Sequence, residues 1–109
     1  MTWVGVKQYA RRHVVGIERR VVQGLLAPGF IDVQVNGGGG VLYNDLRSVE
    51  GIRTIAQAHR AYGTTGLLPT LITDTRETMA EAVEAMRAAL DAGIPGVLGI
   101  HLEGPFISP

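Results

Sequence analysis

The clearest pattern in this chain is an alternation of aliphatic and mostly polar residues from Phe30 to Asn36. A period of two predicts a β-strand over residues 30–36 whose two faces differ in chemistry. One face carries Ile31, Val33 and Val35, and the other carries Phe30, Asp32, Gln34 and Asn36. The pattern fits a surface strand. It fits equally a barrel strand with aliphatic residues against outer helices and polar residues at the mouth.

Two later segments have the 3.6-residue period of amphipathic helices. The first helix is predicted over residues 48–62, because Ser48 can cap its start and a glycine follows its end. The second is predicted over residues 75–92. There, Asp74 and Glu77 form an acidic variant of the capping box, and a glycine again ends the helical pattern.

Short apolar runs over residues 65–71 and 97–103 complete the order strand, helix, strand, helix, strand. Strands separated by roughly 25–35 residues with helices between them predict right-handed crossovers and a parallel sheet. Pro69 lies inside the first run, which favours an edge strand, a bulge or the end of a barrel strand. In the second run, parity places Val97, His101 and Glu103 on one face.

The amino-terminal residues 1–27 lack a clean period and are predicted to form an irregular arm, with the organised region beginning at Pro28. Five of the ten basic residues lie within the first twenty positions, opposed there only by Glu18. Such an arm could bind nucleic acid or act as a targeting peptide, but a solvated, irregular terminus is the favoured interpretation.

Composition narrows the class of protein. The chain has 109 residues, about half the ~200–250 of a typical α/β barrel. Hydrophobic residues make up 46% and charged residues 18%, which predicts a folded interior. A formal net charge of zero gives no overall reason to expect nucleic acid or a membrane surface as partner. The absence of cysteine excludes disulfides and is compatible with the cytoplasm, and no apolar run approaches the ~20 residues of a membrane helix.

The candidate for chemistry is Glu103, which ends the third predicted strand and is followed at once by Gly104 and Pro105. In α/β folds, side chains at the carboxyl ends of parallel strands form the functional site. From the residues alone, a metal ligand and a solvated carboxylate are equally good interpretations of this position.

Three motifs accompany this glutamate in a characteristic order and spacing. They are Leu26-Ala27-Pro28-Gly29-Phe30-Ile31-Asp32-Val33 with Gln34-Val35-Asn36-Gly37, then Leu68-Pro69-Thr70-Leu71-Ile72-Thr73, then His101-Leu102-Glu103-Gly104-Pro105-Phe106. Together they resemble the amidohydrolase superfamily and, within it, the amino-terminal portion of the N-acetylglucosamine-6-phosphate deacetylase family, over about residues 25–109. The resemblance implies the first three βα units of a (β/α)8 TIM-like barrel of the metal-dependent hydrolase type over residues 28–109. Residues 1–27 would then be an arm or a remnant of the family's small β domain, whose usual pattern residues 1–24 do not match.

The resemblance also implies a site. Glu103 matches the family's metal-binding glutamate, and the implied cofactor is a divalent metal, one Zn²⁺. Gln34 and Asn36 occupy the positions of a His-x-His pair in two-metal relatives. Because amides are poor zinc ligands, these two residues favour a single metal and would contact the metal-bound water or the substrate. His101, two residues deeper than Glu103, would support the site by packing or hydrogen bonding.

The implied activity is deacetylation of N-acetylglucosamine 6-phosphate to glucosamine 6-phosphate and acetate in amino-sugar catabolism. No catalytic residue is assigned in this chain, because the family's acid–base aspartate and its two histidine ligands lie on later strands. The implied partner is a small amino-sugar phosphate, and full-length members of the family are homo-oligomeric. Two alternatives stand beside this interpretation: a deacetylase of a related sugar phosphate such as N-acetylgalactosamine 6-phosphate, and a non-catalytic fragment. A catalytic zinc site takes three protein ligands, so we expect the isolated chain to be inactive.

Overall fold

The computed structural model describes Val21 and residues 23–107, so most of the predicted arm lies outside the described residues. The elements are β1 (Phe30–Val35), β2 (Gly37–Gly38), β3 (Val41–Leu42), α1 (Val49–Arg60), β4 (Thr64–Ile72), α2 (Arg76–Asp91) and β5 (His101–Glu103). Strands β1, β4 and β5 form a parallel sheet with β4 in the middle. This α/β arrangement agrees with the predicted class and is consistent with part of a barrel, although three strands do not close one.

The core lies where both helices meet the sheet. Helix α1 contributes Ile52 and Ile55, which have no exposed surface, and α2 contributes Met86 with two alanines. From the middle strand, Leu67 and Leu71 belong to the same cluster. Burying aliphatic side chains of this size stabilises a fold by roughly 1.5–3 kcal/mol each. The aliphatic residues of β4 and the apolar stripes of the two helices therefore hold the βα units together.

Helix α1 begins as predicted, with the Ser48 Oγ accepting a hydrogen bond from the Gly51 N–H at 3.1 Å. The predicted capping box of α2 is wrong. Its N-cap is Thr75, whose extended backbone lets Oγ1 accept from the Thr78 N–H at 3.1 Å. Within the described residues, neither helix is long and apolar enough to cross a membrane.

Pro69 lies in the middle strand of the sheet, so of the alternatives predicted for it the edge strand is excluded, whereas an irregular ladder is observed. The ladder between β1 and β4 is irregular between Asp32 and Val35, where Val35 pairs with Pro69. At this irregularity the Val35 N–H donates to the Thr70 Oγ1 at 2.9 Å. A side-chain hydroxyl therefore supplies a hydrogen-bond partner at the point where proline disturbs the ladder.

The third strand is shorter than the predicted 97–103. Val97 forms an isolated bridge with Leu67, and the ladder resumes only where His101 pairs with Thr70. Between these two pairings β4 advances by three residues, from 67 to 70, while the segment that leads into β5 advances by four, from 97 to 101. The segment before β5 therefore contains one extra residue, as in a β-bulge.

This extra residue corrects the predicted face of Val97. Leu67 belongs to the core, and Val97 beside it is 8% exposed and also belongs to the core. Thr70, three residues after Leu67, lies on the opposite face of β4. His101 pairs with Thr70 and therefore also lies on that opposite face, away from Val97.

The glycine-rich segment after β1 folds as a tight hairpin. Strands β2 and β3 are joined through Gly39 and Gly40, which have φ angles of +62° and +80°. A two-residue hairpin turn with positive φ at both central positions is the type I′ geometry that glycine adopts without strain. The hairpin packs on α1, because a Cβ at Gly38 would lie 3.0 Å from the His59 ring.

Candidate functional site

The candidate site lies on one face of the sheet at the carboxyl ends of β1 and β5. Gln34, near the end of β1, donates a hydrogen bond from Nε2 to Oε2 of Glu103 at 3.0 Å. Since β4 separates these two strands, the contact spans the middle of the sheet. Glu103 is half-buried, and Gln34 is exposed. The structure thus brings together two residues that are 69 positions apart and that the sequence analysis assigned to one site.

His101 makes a second contact across β4. Its Nδ1 lies 2.7 Å from the main-chain oxygen of Val33. A carbonyl oxygen can only accept, so Nδ1 carries the proton in this contact, and in a neutral ring Nε2 carries the lone pair. His101 therefore ties β5 to β1, which is compatible with its predicted supporting role. That role itself stays a prediction.

Asn36 lies just beyond β1 and is exposed. Its main-chain oxygen accepts a hydrogen bond from the Tyr43 N–H at 2.9 Å. Across residues 23–107, its side chain makes no hydrogen bond, so the structure does not join Asn36 to the pair formed by Gln34 and Glu103.

The main chain of Glu103 is fixed from the neighbouring strand. Glu103 pairs with Ile72 at the end of β4, and the Thr73 Oγ1 donates to the Glu103 main-chain oxygen at 3.1 Å. The next residue, Gly104, has a φ of +105°, and a Cβ there would lie 2.0 Å from the Thr73 Oγ1. Only glycine fits both the backbone conformation and the space, so the glycine after Glu103 lets the chain turn away against Thr73.

Asn44, which no sequence pattern singled out, contacts the end of β4 at two points and Asp74 at a third. Its Oδ1 accepts from the Ile72 N–H at 3.1 Å, and its Nδ2 lies 3.2 Å from the Ile72 main-chain oxygen. The same Nδ2 lies 3.1 Å from Oδ2 of Asp74. The available signal was an asparagine in the loop after the glycine-rich hairpin, where a carboxamide can bond to backbone groups.

Two neighbours of Asn44 anchor this loop to α2. The Tyr43 hydroxyl donates to the Ala82 main-chain oxygen at 2.7 Å, and the ring has no exposed surface. Arg47 bonds through its Nε to Oε2 of Glu81 at 3.1 Å and through Nη1 to the main-chain oxygen of Asn44. Residues 43–47 thereby connect α2 with the carboxyl end of β4.

Two groups in this region have shifted pKa values. Burial raises the pKa of Tyr43 to about 12, against a smaller lowering by the charge of Arg47. The pKa of Asp74 is lowered, first by the hydrogen bond from the Thr75 N–H and then by that from the Asn44 side chain. Asp74 is therefore held as a carboxylate that accepts hydrogen bonds at the start of α2.

The described residues do not form a complete metal site. Among them, no group of three or more histidine, aspartate and glutamate side chains lies close enough to hold a metal ion. Glu103 can supply one carboxylate ligand, and Gln34 occupies one of its two oxygens. The donor set of these residues thus fits one ligand of a zinc centre and not the three that a catalytic centre needs.

Comparison with known proteins shows that the chain is similar in sequence to deacetylases of amino-sugar phosphates. It is 51% identical over 89 residues to an N-acetylgalactosamine-6-phosphate deacetylase of Shewanella sp. (strain ANA-3), covering 82% of this chain and 23% of that protein. It is 41% identical over 108 residues to the N-acetylglucosamine-6-phosphate deacetylase of Homo sapiens, covering 94% of this chain and 26% of that protein. No family model matches the chain.

The fold gives the same relationship. The crystal structure of N-acetylglucosamine-6-phosphate deacetylase from Pasteurella multocida matches with a TM-score of 0.71 and 43% identity, covering 74% of this chain and 21% of that one. The chain is therefore related to deacetylases of N-acetylated amino-sugar phosphates. More particularly, the predicted resemblance to N-acetylglucosamine-6-phosphate deacetylases is confirmed. The chain spans about a quarter or less of these relatives, a share consistent with the predicted amino-terminal portion.

Proposed function

We propose that this chain is part of a metal-dependent deacetylase that hydrolyses the acetamide of N-acetylglucosamine 6-phosphate, and that Glu103 is one of the metal ligands. The observation that carries the proposal is the contact between Gln34 and Glu103 at the carboxyl edge of a parallel sheet. It occurs in a chain that is related to deacetylases by both sequence and fold. A half-buried carboxylate whose one oxygen is already oriented by an amide is well suited to bind a cation through the other.

The proposed cofactor is one Zn²⁺, whose other ligands come from outside the described residues. Bound zinc would polarise the acetyl carbonyl and lower the pKa of a water molecule. The residues of this chain have supporting tasks in the proposal. Gln34 orients the Glu103 carboxylate, His101 holds β5 to β1, and the exposed Asn36 side chain is available to the substrate or to the metal-bound water.

A second substrate is favoured by a specific comparison. The relative with 51% identity is named for N-acetylgalactosamine 6-phosphate, which differs from the glucosamine compound in the configuration at one carbon. Both substrates place an acetamide and a phosphate on a hexose, so the same hydrolysis serves both. The test of function should therefore include both sugar phosphates.

The proposal is tested in a chimera. Residues 28–107 of this chain replace the matching segment of the N-acetylglucosamine-6-phosphate deacetylase of Haemophilus influenzae, to which the chain is 43% identical. We expect acetate release from at least one of the two sugar phosphates. We also expect Glu103→Gln in the chimera to reduce zinc content and lower kcat at least 100-fold. Full zinc content and full activity in Glu103→Gln would refute the ligand role.

Glu84→Gln in the same chimera is the matched control. Glu84 is an exposed carboxylate on α2 that pairs with Arg87 at 3.0 Å. Losing this exposed pair should change stability by less than about 1 kcal/mol and leave zinc content and activity unchanged. A chimera that folds and binds zinc but hydrolyses neither sugar phosphate would contradict the proposed reaction.

The isolated chain should not catalyse the reaction. It provides one carboxylate where a catalytic zinc site takes three protein ligands. We expect no acetate release from either sugar phosphate when the purified 109-residue chain is incubated with zinc. Metal-dependent turnover by the chain alone, abolished by Glu103→Gln, would contradict this prediction.

A further inference from the structure

The end of β4 has a partner that is not a strand. The last residue of β1, Val35, pairs with Pro69, and β4 continues for three more residues to Ile72. Over that stretch β1 no longer provides a ladder. In a parallel sheet, the N–H and C=O of one residue point to the same neighbour and need an acceptor and a donor there. Ile72 must find both groups elsewhere.

The carboxamide of Asn44 offers both groups at once. Its Oδ1 accepts from the Ile72 N–H at 3.1 Å, and its Nδ2 donates to the Ile72 main-chain oxygen at 3.2 Å. A peptide group of a neighbouring strand would make the same two kinds of bond. Asn44 therefore takes the place of one residue of a strand on the β1 side of β4, beyond the point where β1 ends.

Asn44 is itself held in this position. Its Nδ2 also donates to Asp74, whose carboxylate is kept ionised by the hydrogen bond from the Thr75 N–H. Its main-chain oxygen accepts from Arg47, which pairs with Glu81 on α2 at 3.1 Å. The side chain is thus fixed through its own backbone and through its amide.

The end of β4 in turn fixes the residue that carries the candidate site. Ile72 is the residue of β4 that pairs with Glu103, and the next residue, Thr73, donates to the Glu103 main-chain oxygen. A shift of the β4 end therefore moves the Glu103 backbone and the carboxylate that Gln34 contacts.

We propose that Asn44 is a positioning residue for Glu103, acting through the end of β4. The proposal rests on the proposed function only in giving Glu103 a task as metal ligand. The coupling itself involves Asn44, Ile72 and Glu103, and it can be tested in the chain without zinc or substrate. Failure of the chimera experiment would leave that coupling intact, so the two proposals fail separately.

The test is an NMR comparison of the full 109-residue chain with its Asn44→Ala variant. We expect the Ile72 amide hydrogen to exchange roughly two- to tenfold faster, as for a lost hydrogen bond. We also expect the Gln34 side-chain amide signals to move to the positions of a free carboxamide, and the Glu103 carboxyl carbon signal to shift. The wild-type signals are assigned by Gln34→Ala and Glu103→Gln.

Ser48→Ala is the matched control, because it removes the cap of α1 from the adjacent loop without touching β4. It should destabilise the chain comparably and leave the Gln34 and Glu103 signals in place. Unchanged signals in folded Asn44→Ala, or equal changes in Ser48→Ala, would overturn the proposal.

If Asn44→Ala does not fold, Asn44→Asp replaces it, since a carboxylate still accepts from the Ile72 N–H but cannot donate. Its Gln34 and Glu103 signals should then move, and their staying in place would count against the proposal in the same way.

Discussion

Because the hydroxyl of Tyr43 is buried, we expect the protein to lose stability to an unusual degree at alkaline pH. The group is fully buried and donates to the Ala82 main-chain oxygen at 2.7 Å. A phenolate there would lose its donor proton and would face a carbonyl oxygen without water. For this reason burial raises the pKa of Tyr43 to about 12 from an ordinary value of 10.0.

The size of the effect follows from proton linkage. Between pH 10 and pH 12 the unfolded chain releases this proton while the folded chain keeps it. The unfolded state therefore binds fewer protons, and the free energy of unfolding falls as pH rises. A shift of two pKa units corresponds to about 2.7 kcal/mol, fully present below pH 10 and lost as the pH rises through 12.

This loss of stability with pH is measured by urea unfolding of the chain and of Tyr43→Phe, followed by circular dichroism between pH 9 and pH 12. At pH 9 the variant should lose about 1–2 kcal/mol, because one buried hydrogen bond is missing. Above pH 10 its stability should fall less steeply than that of the wild type. The sequence contains three tyrosines and one lysine, so few other groups titrate in this interval.

Tyr62→Phe is the control, since Tyr62 is 85% exposed and its substitution should leave the alkaline loss intact. The reasoning is refuted if Tyr43→Phe loses stability with pH as steeply as the wild type does.

Three further predictions concern the same edge of the sheet. Gly104→Ala should lower the free energy of unfolding by about 2–3 kcal/mol in urea titrations, because a Cβ would clash with Thr73 and the backbone has positive φ; a loss below 0.5 kcal/mol would contradict the geometry. Thr75→Ala should lower the free energy of unfolding by about 1 kcal/mol in thermal unfolding, and Glu77→Ala should lower it by less than about 0.5 kcal/mol. A larger loss for Glu77→Ala than for Thr75→Ala would indicate that the capping box forms. Asp74→Asn should reduce the stability difference between pH 7 and pH 3, because a carboxylate with lowered pKa contributes stability above its ordinary pKa that is lost as pH falls; an unchanged difference would argue against its bonds to Thr75 and Asn44.

The helices were predictable because their signals are local. The apolar spacing and the hydroxyl of Ser48 act within a few residues of one another, and α1 has the cap that the sequence indicates. The start of α2 was predicted one residue too early. Asp74 has the chemistry of a cap, but its carboxylate is engaged by Asn44, 30 residues away, while Thr75 caps the helix. A contact of that separation is not visible in a local pattern.

The candidate site was predictable in part for the same reason. The alternation in β1 places Gln34 on a polar face, and the Gly-Pro after Glu103 marks a strand end, so both residues could be singled out. Their contact depends on how three strands are ordered in the sheet. Asn44 could not be found in this way, because its task arises only where β1 leaves β4 before Ile72.

The one-residue insertion before β5 reconciles two requirements of the same short segment. Val97 must face the helices, where it is buried beside Leu67, and Glu103 must face the other way to meet Gln34. In a regular strand, residues six positions apart share a face, so both requirements could not hold together. The extra residue between the Leu67 bridge and the pairing of His101 reverses the parity, which lets a core residue and a candidate metal ligand follow each other on one segment. Such insertions depend on the register with the neighbouring strand. The apolar run alone therefore predicted that Glu103 ends the third strand. It did not predict the face of the sheet on which Val97 lies.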